Sequence, residues 1–135
     1  MCGDLTRSPT VGAPVLGRVV GILFEVLADW GKFLSVHLAG ARGEPTIVTA
    51  NTLKRLQTPP KGGDYAAGWI VTKRSWAGGD GTALTHSGSN TMWFATAWLA
   101  PGKNLTFVVV TNRADNIATA AVDSAFGPPI QTYAP

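Results

Sequence analysis

Cysteine is nearly missing from this sequence, with Cys2 standing alone among 135 residues. No internal disulfide can form, and neither paired cysteines nor a Cys/His spacing is present to hold a metal. Charge is also scarce, at 14% of residues. Eleven basic residues give a net charge of +3, yet only Lys54-Arg55 and Lys73-Arg74 are adjacent, so there is no basic stripe of the kind that tracks nucleic acid. Long apolar runs are absent too. None approaches the roughly 20 residues that span a bilayer, and Val19 to Leu27 is interrupted by Gly21 and Glu25. The start of the chain lacks the charged region, apolar core and small-residue cleavage site of a secretory signal. These absences predict no nucleic-acid partner, no membrane span, no metal and no cofactor. Localisation stays open: periplasmic or secreted if a longer parent carries a signal upstream, otherwise cytoplasmic.

What is present is a globular composition, 45% hydrophobic, and long enough to bury one core. So little charge fits either a compact apolar domain or a lobe that packs against another part of a larger protein. Residues 1–26 read as an irregular leader. Leu27, Trp30, Phe33, Leu34, His37 and Leu38 then recur at helical spacing, with Gly40 expected as the C-terminal cap. A second helix is predicted from the N-cap Thr49 through Leu53 and Leu56 to a stop at Pro59-Pro60.

Beyond that point the period shortens. Tyr65 to Lys73 reads as a strand, Trp76 to Thr82 as a glycine-rich hairpin turn, and Leu84 to Ser87 as a short strand. Thr91 to Leu99 and Leu105 to Thr111 form the clearest hairpin, joined by Pro101-Gly102. Asp115 caps a final helix over about residues 116–126, halted by Gly127-Pro128-Pro129. The order predicts an α+β fold: an antiparallel sheet of three or more strands, with N-terminal helices and a C-terminal helix packed on it. His37 and the Trp93, Phe94 and Trp98 group read as core. The Asn104-Leu105-Thr106 sequon reads as chance, because it opens a strand.

Chemistry concentrates in Thr85-His86-Ser87-Gly88-Ser89-Asn90, which gathers an imidazole, hydroxyls and an amide at the end of a strand. His86 and Ser87 do not make a self-contained dyad, since neighbouring residues on a strand point to opposite faces. His86-Ser87-Gly88 resembles the His-x-Gly form of the Lys-Thr-Gly box of the β-lactamase-related serine hydrolases: class C β-lactamases, DD-peptidases and family VIII-like esterases. Ala28 to Phe33, Leu53 to Pro60, Gly68-Trp69, Met92 to Pro101, Phe107 to Asn112 and the closing helix follow that family's order, covering residues 27–127 and leaving 128–135 as a tail.

The resemblance implies a penicillin-binding type of acyl transfer or hydrolysis, on an amide or ester small-molecule substrate. It makes His86 and the backbone N–H of Ser89, an oxyanion donor, catalytic. Ser87, Gly88, Asn90 and the turn-bordering Trp76 would bind substrate. The family's nucleophile motif, Ser-x-x-Lys, occurs nowhere: three residues after Ser8, Ser35, Ser75, Ser87, Ser89 and Ser124 stand Val11, Leu38, Gly78, Asn90, Met92 and Gly127. Tyr-x-Asn is absent as well. The expectation is therefore the C-terminal portion of such a hydrolase, inactive alone, in a truncated reading of a longer gene. The alternative is a non-catalytic binding or self-assembly module derived from that fold. The partners expected are a missing lobe or a second copy of the chain.

Overall fold

The computed structural model describes residues 15–44 and 46–135, with residues 15–26 described for their backbone alone. By its contacts the chain divides between Phe33 and Leu34 into two units. Helix α1 (Val15–Ala41) begins in the first. Residues 15–26, expected to be irregular, are thus helical, while residues 1–14 of the expected leader lie outside the described residues. Within the first unit Asp29 and Lys32 form an ion pair at 2.7 Å on exposed side chains, a geometry that contributes little in water.

In the second unit α1 ends in a way the sequence reading misplaced. Gly40 lies inside the helix, and the cap is made by Gly43 at φ +77°. Glu44 N–H donates to Ala39 O and Gly43 N–H to Gly40 O, both at 3.0 Å, which closes a Schellman motif on the glycine best able to take the left-handed conformation. Gly40 is small for a different reason. A Cβ there would come within 2.2 Å of Leu53 Cδ1, so the glycine admits helix α2 (Ala50–Leu56). Thr49 caps α2 as predicted, accepting from Thr52 N–H at 3.3 Å. Leu53 is buried, and Leu34 and Leu38 are buried on α1. Phe33, expected on the same stripe, is exposed.

The sheet is a four-stranded antiparallel meander in the order β1-β2-β3-β4, made of β1 (Ile70–Lys73), β2 (Thr82–Ser89), β3 (Phe94–Ala100) and β4 (Leu105–Thr111). The fold is α+β. β1 is half the length expected, because Gly68 at φ +86° turns the chain back and Ala66 N–H donates to Trp69 O at 2.7 Å. Only the Tyr65–Ile70 bridge remains of that part of the strand. β2 runs two residues further at each end than expected. At one end of the sheet the β1–β2 and β3–β4 turns pack together: a Cβ on Gly102 would lie 2.6 Å from the Gly78 carbonyl carbon.

Two layers of packing hold the sheet. Ala77, Ala83 and Ala100 are buried beneath Trp76, Trp98 and Leu105. Leu34, Leu53, Leu84, Leu99 and Val122 are the largest fully buried side chains, each contributing about 1.5–3 kcal/mol of transfer free energy. Helix α3 (Asn116–Ala125) rests against β3 and β4, with Ala118 and Val122 buried. Its N-cap Asp115 accepts from Ala118 N–H at 2.9 Å. α3 stops at the Phe126 cap, where Gly127-Pro128-Pro129 was expected to halt it, but the same residues also start a further helix, α4 (Gly127–Tyr133). Proline at the first helical positions lacks only a donor that has no intrahelical partner there. The expected tail is accordingly folded, with Ala134 buried and the Pro135 carbonyl accepting from Lys103 Nζ at 2.7 Å. Among the described residues no helix is long and apolar enough to cross a membrane.

Candidate functional site

His86 to Ser89 form the second half of β2 rather than a turn. They pair with Ala97, Thr96, Ala95 and Phe94 of β3. β1 stops short of them, its last partner being Ile70 opposite Thr85. Beyond Thr85 β2 therefore has a neighbour on one side only.

The hydrogen-bonding phase of β2 follows from its two ends. Arg74 N–H donates to Gly81 O at 2.8 Å on the β1 side, and Asn90 N–H donates to Trp93 O at 3.2 Å on the β3 side. Backbone groups alternate in direction along a strand. Residues 84, 86 and 88 thus address β3, residues 83 and 85 address β1, and the N–H and C=O of Ser87 and Ser89 face outward past the end of β1. Among the described residues neither of these pairs of groups has a backbone partner. The structure therefore gives the six residues singled out from the sequence different places.

Ser87 and Ser89 offer backbone. The Ser87 hydroxyl lies 2.8 Å from Thr96 Oγ1, a partner without the basicity to activate a nucleophile. Ser89 Oγ accepts from Thr91 N–H at 3.1 Å. His86 is exposed on the opposite face of the strand, beside Gly88 and across from Ala97, so the exclusion of a His86–Ser87 dyad holds. Gly88 has no positive φ, and a Cβ there would meet nothing within 4 Å. Neither of the usual internal reasons for a glycine, a left-handed backbone or a close neighbour, applies to it.

Asn90 is largely committed to the turn that follows. Its Oδ1 accepts from Trp93 N–H at 2.9 Å and Met92 N–H at 3.3 Å, leaving only its amide N–H groups for a ligand. These bonds hold Thr91 at φ +73°, a conformation costly for a β-branched residue. Trp76 belongs elsewhere. It packs edge-on against Trp98 and Phe107, with ring centroids 5.7 and 6.0 Å apart, in the core cluster with Ala83. That residue is six positions from Ser89, about 20 Å along the strand. Bordering a glycine-rich turn was a poor guide, because that turn lies at the other end of β2.

One neighbour of the site was not singled out. A shallow groove of about 410 Å³ is lined by Thr91, Met92 and Asn112 to Asp115, next to the β2–β3 turn because Thr111 pairs with Phe94. Arg113 donates to Asp115 Oδ2 at 2.6 Å. The Ala118 N–H, then Arg113, hold the Asp115 carboxyl below its ordinary range. Counting the hairpin register forward from Pro101-Gly102 would have placed Asn112 and Arg113 there.

A larger cavity of about 540 Å³ lies at the opposite end of the sheet, with Gly40, Arg42, Lys54, Gln57, Asp80 and Pro101 in its lining. Most of its polar side chains are already engaged: Arg42 with Glu44, Asp80 with Lys73, and Gln57 with His37. Size alone does not make it the site. Chemistry favours the open strand edge, where backbone donors face outward.

No family model matches the chain, and neither a curated protein nor a solved structure matches it.

Proposed function

We propose that the chain carries the third-motif strand of a β-lactamase-related serine hydrolase, in which the open edge at Ser87 and Ser89 receives an acyl group and the attacking serine comes from outside these residues. One observation carries the reading: β2 outruns β1, so the Ser89 N–H is directed outward at an exposed strand edge. A carbonyl placed there would meet a fixed dipole, the kind of donor whose loss costs about 2.7–4 kcal/mol of transition-state stabilisation. The open space over Gly88 suits the approach of that group, and Asn112 and Arg113 border the same end of the sheet.

With the attacking serine supplied from elsewhere, the chain alone should turn over neither nitrocefin nor p-nitrophenyl esters. An acyl adduct detected by mass spectrometry and abolished by Ser87→Ala would overturn the placement of the nucleophile elsewhere. Ligand capture is tested by titrating the labelled chain with benzylpenicillin and following amide resonances. The Ser87 and Ser89 N–H signals are expected to move, and Ser89→Pro, which removes the outward donor without breaking a bond to β3, should abolish the response. Unmoved resonances at millimolar ligand would end the proposal. Gly88→Ala separates site from scaffold: stability should rise by about 0.5–1 kcal/mol, seen by thermal melting, while the benzylpenicillin response weakens.

A further inference from the structure

β4 is the other edge of the sheet, and its outward face has an unusual combination of properties. The phase set by Trp93 O makes residues 94, 96, 98 and 100 of β3 address β4, so their partners 111, 109, 107 and 105 point inward. The N–H and C=O of Thr106, Val108 and Val110 therefore face away from the sheet. Among the described residues no backbone bond reaches them. The protections common on edge strands are lacking. Leu105 to Thr111 has no charge and no proline, and its register with β3 is unbroken across the whole strand. All seven residues are only half-buried. α3 contacts β3 as well as β4, which places it over the face the two strands share.

We propose that β4 is a homodimerisation edge, on which a second copy of this chain adds its own β4 antiparallel about a two-fold axis at Val108. The outward groups determine the occupant as an extended strand, since only a strand matches a row of alternating donors and acceptors. The same strand is its own complement. With Val108 on the axis, Thr106 pairs with Val110 of the second copy and Val108 with its counterpart, so every outward residue meets another outward residue and exchanges both hydrogen bonds. Phe107 falls opposite Val109 and Leu105 opposite Thr111, with no charge set against a like charge inside the strand. The first charged positions in this register, Lys103 and Arg113, lie beyond the strand and are engaged by the Pro135 carbonyl and Asp115.

The test is sedimentation equilibrium of the full chain from about 1 to 500 μM. The expected result is concentration-dependent association to twice the 14.1 kDa chain mass. Val108→Pro removes one outward donor while leaving the ladder to β3 intact, and should raise the dissociation constant at least tenfold with an unchanged far-ultraviolet spectrum. If that variant fails to fold, Val110→Lys, which sets a cation against Thr106 across the axis, serves in its place and should weaken association similarly. A chain that stays at monomer mass throughout, or a dimer indifferent to a folded variant, would overturn the proposal. Neither result bears on the benzylpenicillin response at the other edge.

Discussion

Thr91 sits at φ +73° because its neighbours leave it no alternative. The Asn90 carboxamide gathers the next two N–H groups, and Ser89 Oγ takes its own. A left-handed conformation costs an L-residue about 1–2 kcal/mol. Thr91→Gly should therefore raise unfolding stability by about 0.5–1 kcal/mol, after the entropy that glycine gives up on folding, as measured by denaturant titration. His37 supplies a second test at this scale. It is buried, lies edge-on to Trp69 with centroids 5.3 Å apart, and takes the Gln57 Nε2 donor at Nδ1, 3.2 Å away. The same amide nitrogen donates to the His37 carbonyl at 2.8 Å, so Nδ1 must accept and the ring is neutral. Burial pushes the His37 pKa down. As pH falls below about 6.5 the unfolded chain takes up a proton that the folded one resists. Stability present above that pH is expected to decline below it. Denaturation midpoints at pH 8, 7, 6 and 5 measure the slope, which should flatten in His37→Phe.

Among the elements, glycines mark the packing. Gly40 and Gly31 both lie in α1, but a Cβ at Gly40 would run into Leu53 whereas one at Gly31 would meet nothing within 4 Å. Gly31→Ala should gain about 1 kcal/mol of helix propensity. Gly40→Ala should lose about 1–3 kcal/mol to overpacking against that same gain, and thermal melting of the two variants should move in opposite directions. Such a contrast is invisible in the sequence, where either glycine reads as a possible helix end. Helical faces and the β3–β4 hairpin were legible because period and turn residues are local signals. α4 was not, since Gly-Pro-Pro resembles a stop unless the prolines fall in a first turn. The candidate site was half legible. His86 to Ser89 stood out by residue type, but their open edge depends on β1 being shorter than β2. That length is set by the turn at Gly68, and a run of β-branched and aromatic residues conceals it. Trp76 lies apart from the other candidates for a related reason: adjacency to a turn says nothing about which end of the sheet the turn occupies.

At the scale of the molecule, residues 34–135 form a meander whose chemistry and whose packing separate to opposite ends. The tryptophan cluster and the interlocked Gly78 and Gly102 turns hold one end. The other carries the unpaired half of β2, the Asn90 turn and the Asn112 to Asp115 loop. This division lets the open edge of β2 vary without loosening the core, and under the two proposals the edges at β2 and β4 serve different partners at once. The uneven lengths of β1 and β2 also have a signature in time. Amide protons should be retained from Ala83 through Gly88 where a neighbouring strand shields them, and be lost quickly to deuterium at Ser87 and Ser89, so that the slow-exchanging run gives way beyond Thr85 to an every-other-residue rhythm.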